Sequence, residues 1–103
     1  MSELALGTIR HLTLICEEAL EDLIGQDIIE AGAKGYTVTD ARGRGKRGVR
    51  DAQWLLSSNI RIEILCSDAV ARRIMACVET KYAQHYGLVI FMQDALAPQA
   101  DKY

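Results

Sequence analysis

Alternation of apolar and polar residues along the chain predicts four β-strands. Residues 8–16 and 59–66 show the period of two that places one face of a strand in a core. Residues 35–41 are rich in β-branched and aromatic types, which favour strands. Residues 88–92 form a short, wholly apolar run that is typical of a buried strand.

A period close to 3.6 residues predicts a helix between the strands of each half. In residues 17–32 acidic side chains crowd the first turn and Gly32 stands where a C-terminal cap glycine belongs, although Gly25 weakens the helix interior. The second helix begins at Ser67 or Asp68, either of which can cap it. The apolar faces of the two helices are formed by Leu20, Leu23, Ile24, Ile28 and Ala31, and by Val70, Ile74, Cys77, Val78 and Tyr82.

The order of these elements predicts an α+β fold of one domain, residues 1–103. Two strand-helix-strand halves interleave into a four-stranded antiparallel sheet with both helices on one face, the ferredoxin-like βαββαβ sandwich. The other face would carry Ile15, Leu65 and alternate residues of 88–92. Because a monomer seldom exposes so much apolar sheet, we expect other copies of the chain to cover it. Residues 94–103, which hold the only proline, are expected to form a flexible tail.

The connection between the second and third strands, about residues 42–58, carries a dense basic segment. Residues 42–50 hold five of the twelve lysines and arginines and no acid, so the rest of the chain has seven basic and fourteen acidic residues. An acidic body with one basic loop fits a local anion site better than a general nucleic-acid surface. Residues 43–48 match G-x-G-x-x-G, but no predicted helix follows to complete a dinucleotide fingerprint. The alternative is a solvated loop that binds nothing.

Other site chemistries find little support in the residue pattern. The three cysteines form no CxxC pair and, with His11 and His85, complete no zinc pattern, so buried, reduced cysteines and no metal are expected. The first and third strands lack the aromatic residues on which RNA bases stack, so no nucleic acid is expected as a partner. Neither a membrane-spanning run nor a secretory signal pattern is present, which indicates a cytoplasmic protein without membrane insertion.

Two stretches of the chain resemble a known family. AGAKGYTVTDARGRGKRGVR, residues 31–50, and TKYAQHYGLVIFM, residues 80–92, are similar to the PII signalling proteins, and more closely to the PII-like subgroup that regulates bicarbonate uptake and carboxysome function in autotrophic bacteria. The resemblance implies a non-enzymatic homotrimer that binds an adenine nucleotide in each of three clefts between subunits. It also implies that residues 42–58, the T-loop of this family, reorder with ligand and contact a target, usually a membrane bicarbonate transporter or a carboxysome-related protein.

The resemblance further implies ligands and roles for particular residues. The ligands of the subgroup are AMP, ADP, ATP or cyclic AMP, and in carboxysome-associated members bicarbonate as well; no cofactor is obligatory. Arg47 and Arg50 would grip phosphate or bicarbonate with two donors each. The residues that would contact adenine and ribose are Gly35, Tyr36 and Thr37. The phosphates would be bound by Gly43, Gly45, Lys46, Arg47 and Arg50. The opposite wall of the cleft would be formed by Tyr86, Gly87, Leu88 and Val89.

The chain departs from standard PII proteins in ways that narrow these expectations. Residues 83–88, AQHYGL, stand where those proteins have a glycine-rich segment with a lysine, which favours AMP or ADP over ATP. No tyrosine lies between residues 42 and 58, so tyrosine uridylylation is not available. Trp54, Leu55 and Leu56 are the candidate partner contacts within the T-loop; the alternative is that they pack back on their own trimer.

Two other functions stay open. An arginine loop that holds phosphate also suits a nucleotide-hydrolysing protein, and Asp40 and Asp51 flank the basic segment, although no predicted metal-ligand cluster accompanies it. Phosphate release from ATP or ADP would identify that activity. An RNA-binding ferredoxin-like domain is the other alternative, and it would show a steep dependence of binding on salt.

Overall fold

The computed structural model describes residues 3–43 and 58–103. In these two ranges the chain forms four β-strands and two α-helices in the predicted order. The strands are β1 (Gly7–Glu17), β2 (Thr37–Ala41), β3 (Asn59–Cys66) and β4 (Val89–Ala97), and the helices are α1 (Glu21–Glu30) and α2 (Asp68–Lys81). Short 3-10 helices, Glu18–Leu20 and Ala100–Lys102, precede α1 and follow β4.

The strands form one antiparallel sheet in the order β2-β3-β1-β4. The inner strand β1 is paired on both sides: Leu12 is level with Ile64 of β3 and with Met92 of β4. This strand order, with a helix after β1 and another after β3, confirms the predicted ferredoxin-like α+β fold. It follows that β2 and β4 are the two edges of the sheet, with two strands between them.

The core lies between the sheet and the two helices. Alternate residues of β1 and β3 point into it, and Leu12 and Ile62 are fully buried there together with Ile24 of α1 and Val78 of α2. Burying each such side chain stabilises the fold by about 1.5–3 kcal/mol. The other buried members of this cluster are Leu14, Cys16, Leu20, Ile28, Ala33, Ile60, Ile64, Cys66, Val70, Ala71, Ile74 and Tyr82.

The opposite face of the sheet, which we call the helix-free face, is apolar over much of its area. Leu65 is 38%, Val89 51% and Phe91 43% exposed, and Ile15 lies half-buried beside Val89 in the strand register. The prediction of a bare apolar sheet face is therefore confirmed for the single chain. Apolar area of this kind marks an interaction surface more often than a free one.

The helix ends follow the predicted caps. The Ser67 hydroxyl accepts a hydrogen bond of 3.3 Å from the backbone N–H of Val70, which satisfies one of the free donors at the start of α2. Gly32, just past α1, has φ of +114°, a conformation that side chains with a Cβ rarely adopt. The first turn predicted for the first helix is instead the 3-10 helix, in which the Glu18 N–H donates to the Ser58 carbonyl at 2.8 Å.

Residues 94–97, the first part of the predicted flexible tail 94–103, belong to β4. β4 continues to Ala97, which pairs with Gly7 of β1, and Asp94 forms an ion pair with Arg10. For these four residues the structure differs from the prediction because strand pairing satisfies backbone groups whatever side chains they carry. Residues 7–9 of β1 lie beyond the reach of β3 and pair with β4 alone, so β4 extends to cover them.

The cysteines are free, and two of the three are buried as predicted. Cys16 and Cys66 lie in the core, while Cys77 on α2 is only half-buried. Burial raises the pKa of Cys16 to about 11, with a smaller contribution from the negative charge of Glu17. Burial also raises the pKa of Cys66. These two thiols therefore stay protonated at neutral pH and act as small apolar core residues.

Candidate functional site

The residues predicted to bind nucleotide fall at three places. Gly35 and Tyr36 stand just before β2 and Thr37 opens it, and all three are exposed. The exposed Gly43 follows β2, and residues 86–89 form the end of the α2–β4 connection and the first residue of β4. Outside the described residues lie Gly45, Lys46, Arg47 and Arg50, together with the predicted partner contacts Trp54, Leu55 and Leu56.

The two predicted walls of the cleft lie at opposite edges of the sheet. Thr37 is in β2 and Val89 is in β4, with β3 and β1 between them. At the usual strand spacing of roughly 4.8 Å the two edges are about 14 Å apart. The walls are nevertheless nearly level, since Thr37 aligns through Glu63 with Thr13 of β1, and Val89 aligns with Ile15. One chain therefore does not bring its two walls together.

The predicted wall at the β4 edge follows the turn that ends α2. The carbonyl of Tyr82 accepts hydrogen bonds from the N–H groups of His85 at 3.1 Å and Tyr86 at 3.0 Å. The rings of Tyr82 and Tyr86 lie in tilted contact with centroids 6.4 Å apart. Tyr86 and Leu88 pack against the core, whereas Gly87 and Val89 are exposed. Only the second pair therefore presents itself fully to a ligand or to another subunit.

The predicted wall at the β2 edge contacts α1 through Tyr36. The ring of Tyr36 lies over Gly25, so closely that a Cβ at Gly25 would stand 3.0 Å from Cζ of the tyrosine. This explains a glycine in the interior of a helix, which would otherwise only cost stability. Tyr36 remains 39% exposed, so part of its ring faces solvent beside Thr37.

A row of charged side chains next to Thr37 was not among the predicted site residues. Glu63 of β3 is level with Thr37, and its Oε1 accepts from Arg61 Nε at 3.0 Å and lies 3.4 Å from Nε2 of His11. Thr13 is fully buried beside this row, and its hydroxyl has no hydrogen-bond partner within the described ranges. The polar positions in the alternating pattern of residues 59–66 could have indicated this row of charged side chains.

A second polar cluster joins the two helices. Asp27 of α1 accepts from Lys81 Nζ at 2.9 Å on one oxygen and from the Tyr82 hydroxyl at 2.6 Å on the other. Burial alone would raise the pKa of Asp27, but these hydrogen bonds outweigh it and the pKa is lowered. The pKa of Tyr82 is raised by burial and by the bond to Asp27. Lys81 is therefore the ion-pair partner of Asp27, and its side chain remains 54% exposed to solvent.

Comparison with known proteins fits this arrangement of sheet and helices. The family model described as nitrogen regulatory protein P-II matches residues 9–102. This chain belongs to the P-II family. The match covers all four strands except the first residues of β1, so the resemblance in residues 31–50 and 80–92 is confirmed at the level of the family.

Solved structures of PII-like proteins are similar over nearly the whole chain. A PII-like signaling protein from Thermus thermophilus is 35% identical with a TM-score of 0.81, over 95% of this chain and 97% of that one. CPII from Thiomonas intermedia K12, bound to ADP and bicarbonate, is 20% identical with a TM-score of 0.84, over 97% and 98% of the two chains. The same protein bound to ADP, AMP and acetate gives 19% identity and a TM-score of 0.81, over 96% and 97%.

A further cavity of this P-II chain lies away from the predicted walls. A cavity of about 330 Å³ near the chain end is lined by none of the predicted site residues; it is formed by Thr8, Ile9, Ser67, Asp68, Ala100, Asp101 and Tyr103. Residues 3–43 and 58–103 contain no group of three side chains suited to a metal ion. Neither of the two described helices is long and apolar enough to cross a bilayer.

Proposed function

We propose that this protein is a non-enzymatic signalling protein that binds an adenine nucleotide, ADP or AMP, between the subunits of a homotrimer. The observation that carries the proposal is the strand order. It places the residues 35–37 wall and the residues 86–89 wall at opposite edges of one sheet and nearly level with each other. A β2 edge from one copy set beside a β4 edge from the next would form a cleft with both walls, and a closed ring would repeat it in every subunit.

The helix-free face supports the same assembly. Leu65, Val89 and Phe91 leave an apolar surface that a closed ring of copies would remove from water. The charged row of Glu63, Arg61 and His11 crosses this surface, and its members already contact one another, which lowers the cost of burying them between copies. The ligands of the CPII structures, ADP with bicarbonate or with AMP and acetate, support the choice of ligand class.

Phosphate and bicarbonate would be held by the basic segment of the T-loop. Arg47 and Arg50 each offer a planar fork of donors suited to phosphate or to the carboxylate-like oxygens of bicarbonate. Gly43, Gly45 and Lys46 would add backbone amides and one more charge. Anions here would relieve repulsion among five neighbouring cations and so order the loop. By thermodynamic linkage, if bicarbonate raises the affinity for nucleotide, the nucleotide must raise the affinity for bicarbonate by the same factor.

The ordered loop would then act on a partner in the cytoplasm. Trp54, Leu55 and Leu56 are the proposed contact, since three adjacent large apolar residues suit a buried anchor at an interface. We propose a membrane bicarbonate transporter or a carboxysome-related protein as that partner, with inorganic-carbon supply as the regulated process. The support for this finer assignment is the resemblance of residues 31–50 and 80–92 to that subgroup.

The testing experiment is calorimetric titration with ADP and AMP, each with and without bicarbonate at matched ionic strength. We expect one nucleotide per chain and a lower Kd in bicarbonate. Replacing Arg47 and Arg50 together by alanine should raise the Kd for ADP at least about tenfold, because two charge-assisted contacts are lost. The matched control is Arg72→Ala, which removes an exposed arginine of α2 that pairs with Asp68. Unchanged affinity in the double variant would refute the proposed anion site, and steady phosphate release from ADP or ATP would favour an enzyme.

A further inference from the structure

We infer that Asp27 is a positioning residue for the residues 86–89 wall, acting through the side chain of Tyr82. The inference rests on the proposed function, because only there is that wall part of a nucleotide site. Asp27 itself lies on α1 and belongs to neither predicted wall. What connects it to the wall is a continuous series of hydrogen bonds and contacts across the helix pair.

The first link is the carboxylate, which is almost enclosed. The Asp27 side chain is 11% exposed, and its two oxygens accept from two adjacent residues where α2 ends. A carboxylate so far removed from water is stable only when its oxygens are hydrogen-bonded. Both oxygens are used, so the cluster holds α1 against the C-terminal end of α2 in one arrangement.

The two bonds of this cluster contribute differently. Lys81 is 54% exposed, and an ion pair open to solvent adds little and tolerates movement of the long side chain. The Tyr82 hydroxyl is a short donor at 2.6 Å on a ring that belongs to the buried core. A charge-assisted bond to a rigid, buried ring fixes position as well as adding stability. The bond from Tyr82 is therefore the one that transmits geometry.

The second link is the backbone of Tyr82. Its carbonyl accepts from both the His85 and Tyr86 N–H groups, so the turn after α2 is built on this residue. Its ring also touches the ring of Tyr86, the first residue of the predicted wall. If the Tyr82 ring turns or shifts, its own carbonyl and the Tyr86 ring shift with it, and the exposed Gly87 follows directly. Asp27 thus sets where the wall stands although it does not face the cleft.

A second hydrogen bond between the two helices supplies a matched control. Arg73 of α2 donates from Nε to the carbonyl of Ala31, just past the end of α1, at 2.9 Å. This contact also joins α1 to α2, but it lies eight residues before Lys81 and touches neither Tyr82 nor Tyr86. Losing it removes an inter-helix hydrogen bond and leaves the turn intact.

The experiment compares Asp27→Asn, Tyr82→Phe and Arg73→Met with the wild-type protein. We measure the Kd for ADP by calorimetry, the melting temperature, and the exchange of the His85 and Tyr86 amides with deuterium in the absence of nucleotide. For Asp27→Asn and Tyr82→Phe we expect the Kd to rise about fivefold and the two amides to exchange about tenfold faster. Arg73→Met should lower the melting temperature yet leave both other readouts within about twofold of wild type.

Each outcome of this experiment either supports the inference or overturns it. If wild-type protein binds ADP and the Asp27→Asn and Tyr82→Phe variants bind it equally well, Asp27 is merely structural and the inference is overturned while the proposed function stands. The inference is also overturned if Arg73→Met weakens ADP binding as much as Asp27→Asn and Tyr82→Phe do, because the effect then arises from helix packing in general. If wild-type protein binds no ADP, the proposed function fails and the inference falls with it. Tyr82→Phe keeps the packed ring, so it carries the test should Asp27→Asn not fold.

Discussion

Replacing Gly25 by alanine measures how firmly Tyr36 is held over α1. Gly25 lies buried in the helix interior, where alanine is the better helix former by about 0.8–1 kcal/mol. The added methyl group would stand 3.0 Å from Cζ of Tyr36 and closer still to the hydroxyl. The ring must therefore leave its place over the helix. Helix propensity and packing act in opposite directions at this position, and their balance decides the sign.

The packing loss follows from the exposure of the ring. Tyr36 is 39% exposed, so more than half of its surface is covered. A tyrosine buries about 150–250 Å² when enclosed, and giving up roughly a third of that at about 25 cal/mol per Å² costs about 1–2 kcal/mol. In the wild-type background Gly25→Ala should then destabilise the protein by up to about 1 kcal/mol. In a Tyr36→Ala background the same change should stabilise it by about 0.8–1 kcal/mol.

Urea unfolding of the four proteins provides the assay. All must be measured at one protomer concentration, because the unfolding midpoint of an oligomer depends on concentration. The double-mutant cycle should give a coupling free energy of about 1–2 kcal/mol, with equal m-values throughout. If alanine at position 25 stabilises both backgrounds equally, Tyr36 does not rest on Gly25 and the account of the β2 wall is wrong.

Two further predictions concern the stability of the fold in acid and the assembly of subunits. Because the pKa of Asp27 is lowered in the folded state, its stabilisation is complete above the unfolded value of about 3.9 and is lost as the pH falls through the folded value. Asp27→Asn should therefore lower the urea midpoint at pH 7 and flatten its fall below about pH 4, and a fall parallel to wild type would contradict the assignment. Phe91→Asp puts a charge into the helix-free face and should convert the proposed trimer to monomers in sedimentation, whereas Phe91→Leu should not; a trimeric Phe91→Asp protein would show that this face is not the one buried.

Local pattern was enough to predict the elements and several of their ends. The alternation in residues 59–66 predicts β3 with its observed bounds, and the Ser67 cap and the Gly32 turn follow from backbone chemistry that needs no tertiary partner. Pattern was not enough for the second half of β4. Gln93 and Asp94 look like the start of a polar tail, and only the first residues of β1, which β3 does not reach, show why the strand continues there.

The same limit explains two side-chain contacts that the sequence does not indicate. The local pattern does not indicate the ion pair of Lys81, because its partner Asp27 stands 54 positions away in the chain. The alternating pattern predicts only that Glu63 faces away from the core. The register with Thr37 is needed to place it beside the predicted wall. Pairings of this kind depend on how distant elements meet, and neither periodicity nor local propensity carries that information.

Helix α1 shows what a site inferred from motifs leaves out. By its periodicity α1 is a core helix, and Ile24 and Ile28 do pack there. Yet Gly25 seats Tyr36 at the β2 edge, and Asp27 holds Tyr82 at the turn that leads to the β4 edge. A single helical turn thus contacts Tyr36 of one predicted wall and Tyr82, the residue on which the turn before the other wall is built, although no residue of it belongs to either wall. Substitutions in that turn should alter ligand affinity without touching the ligand, and a list of binding residues drawn from the loop and the strands alone would not anticipate them.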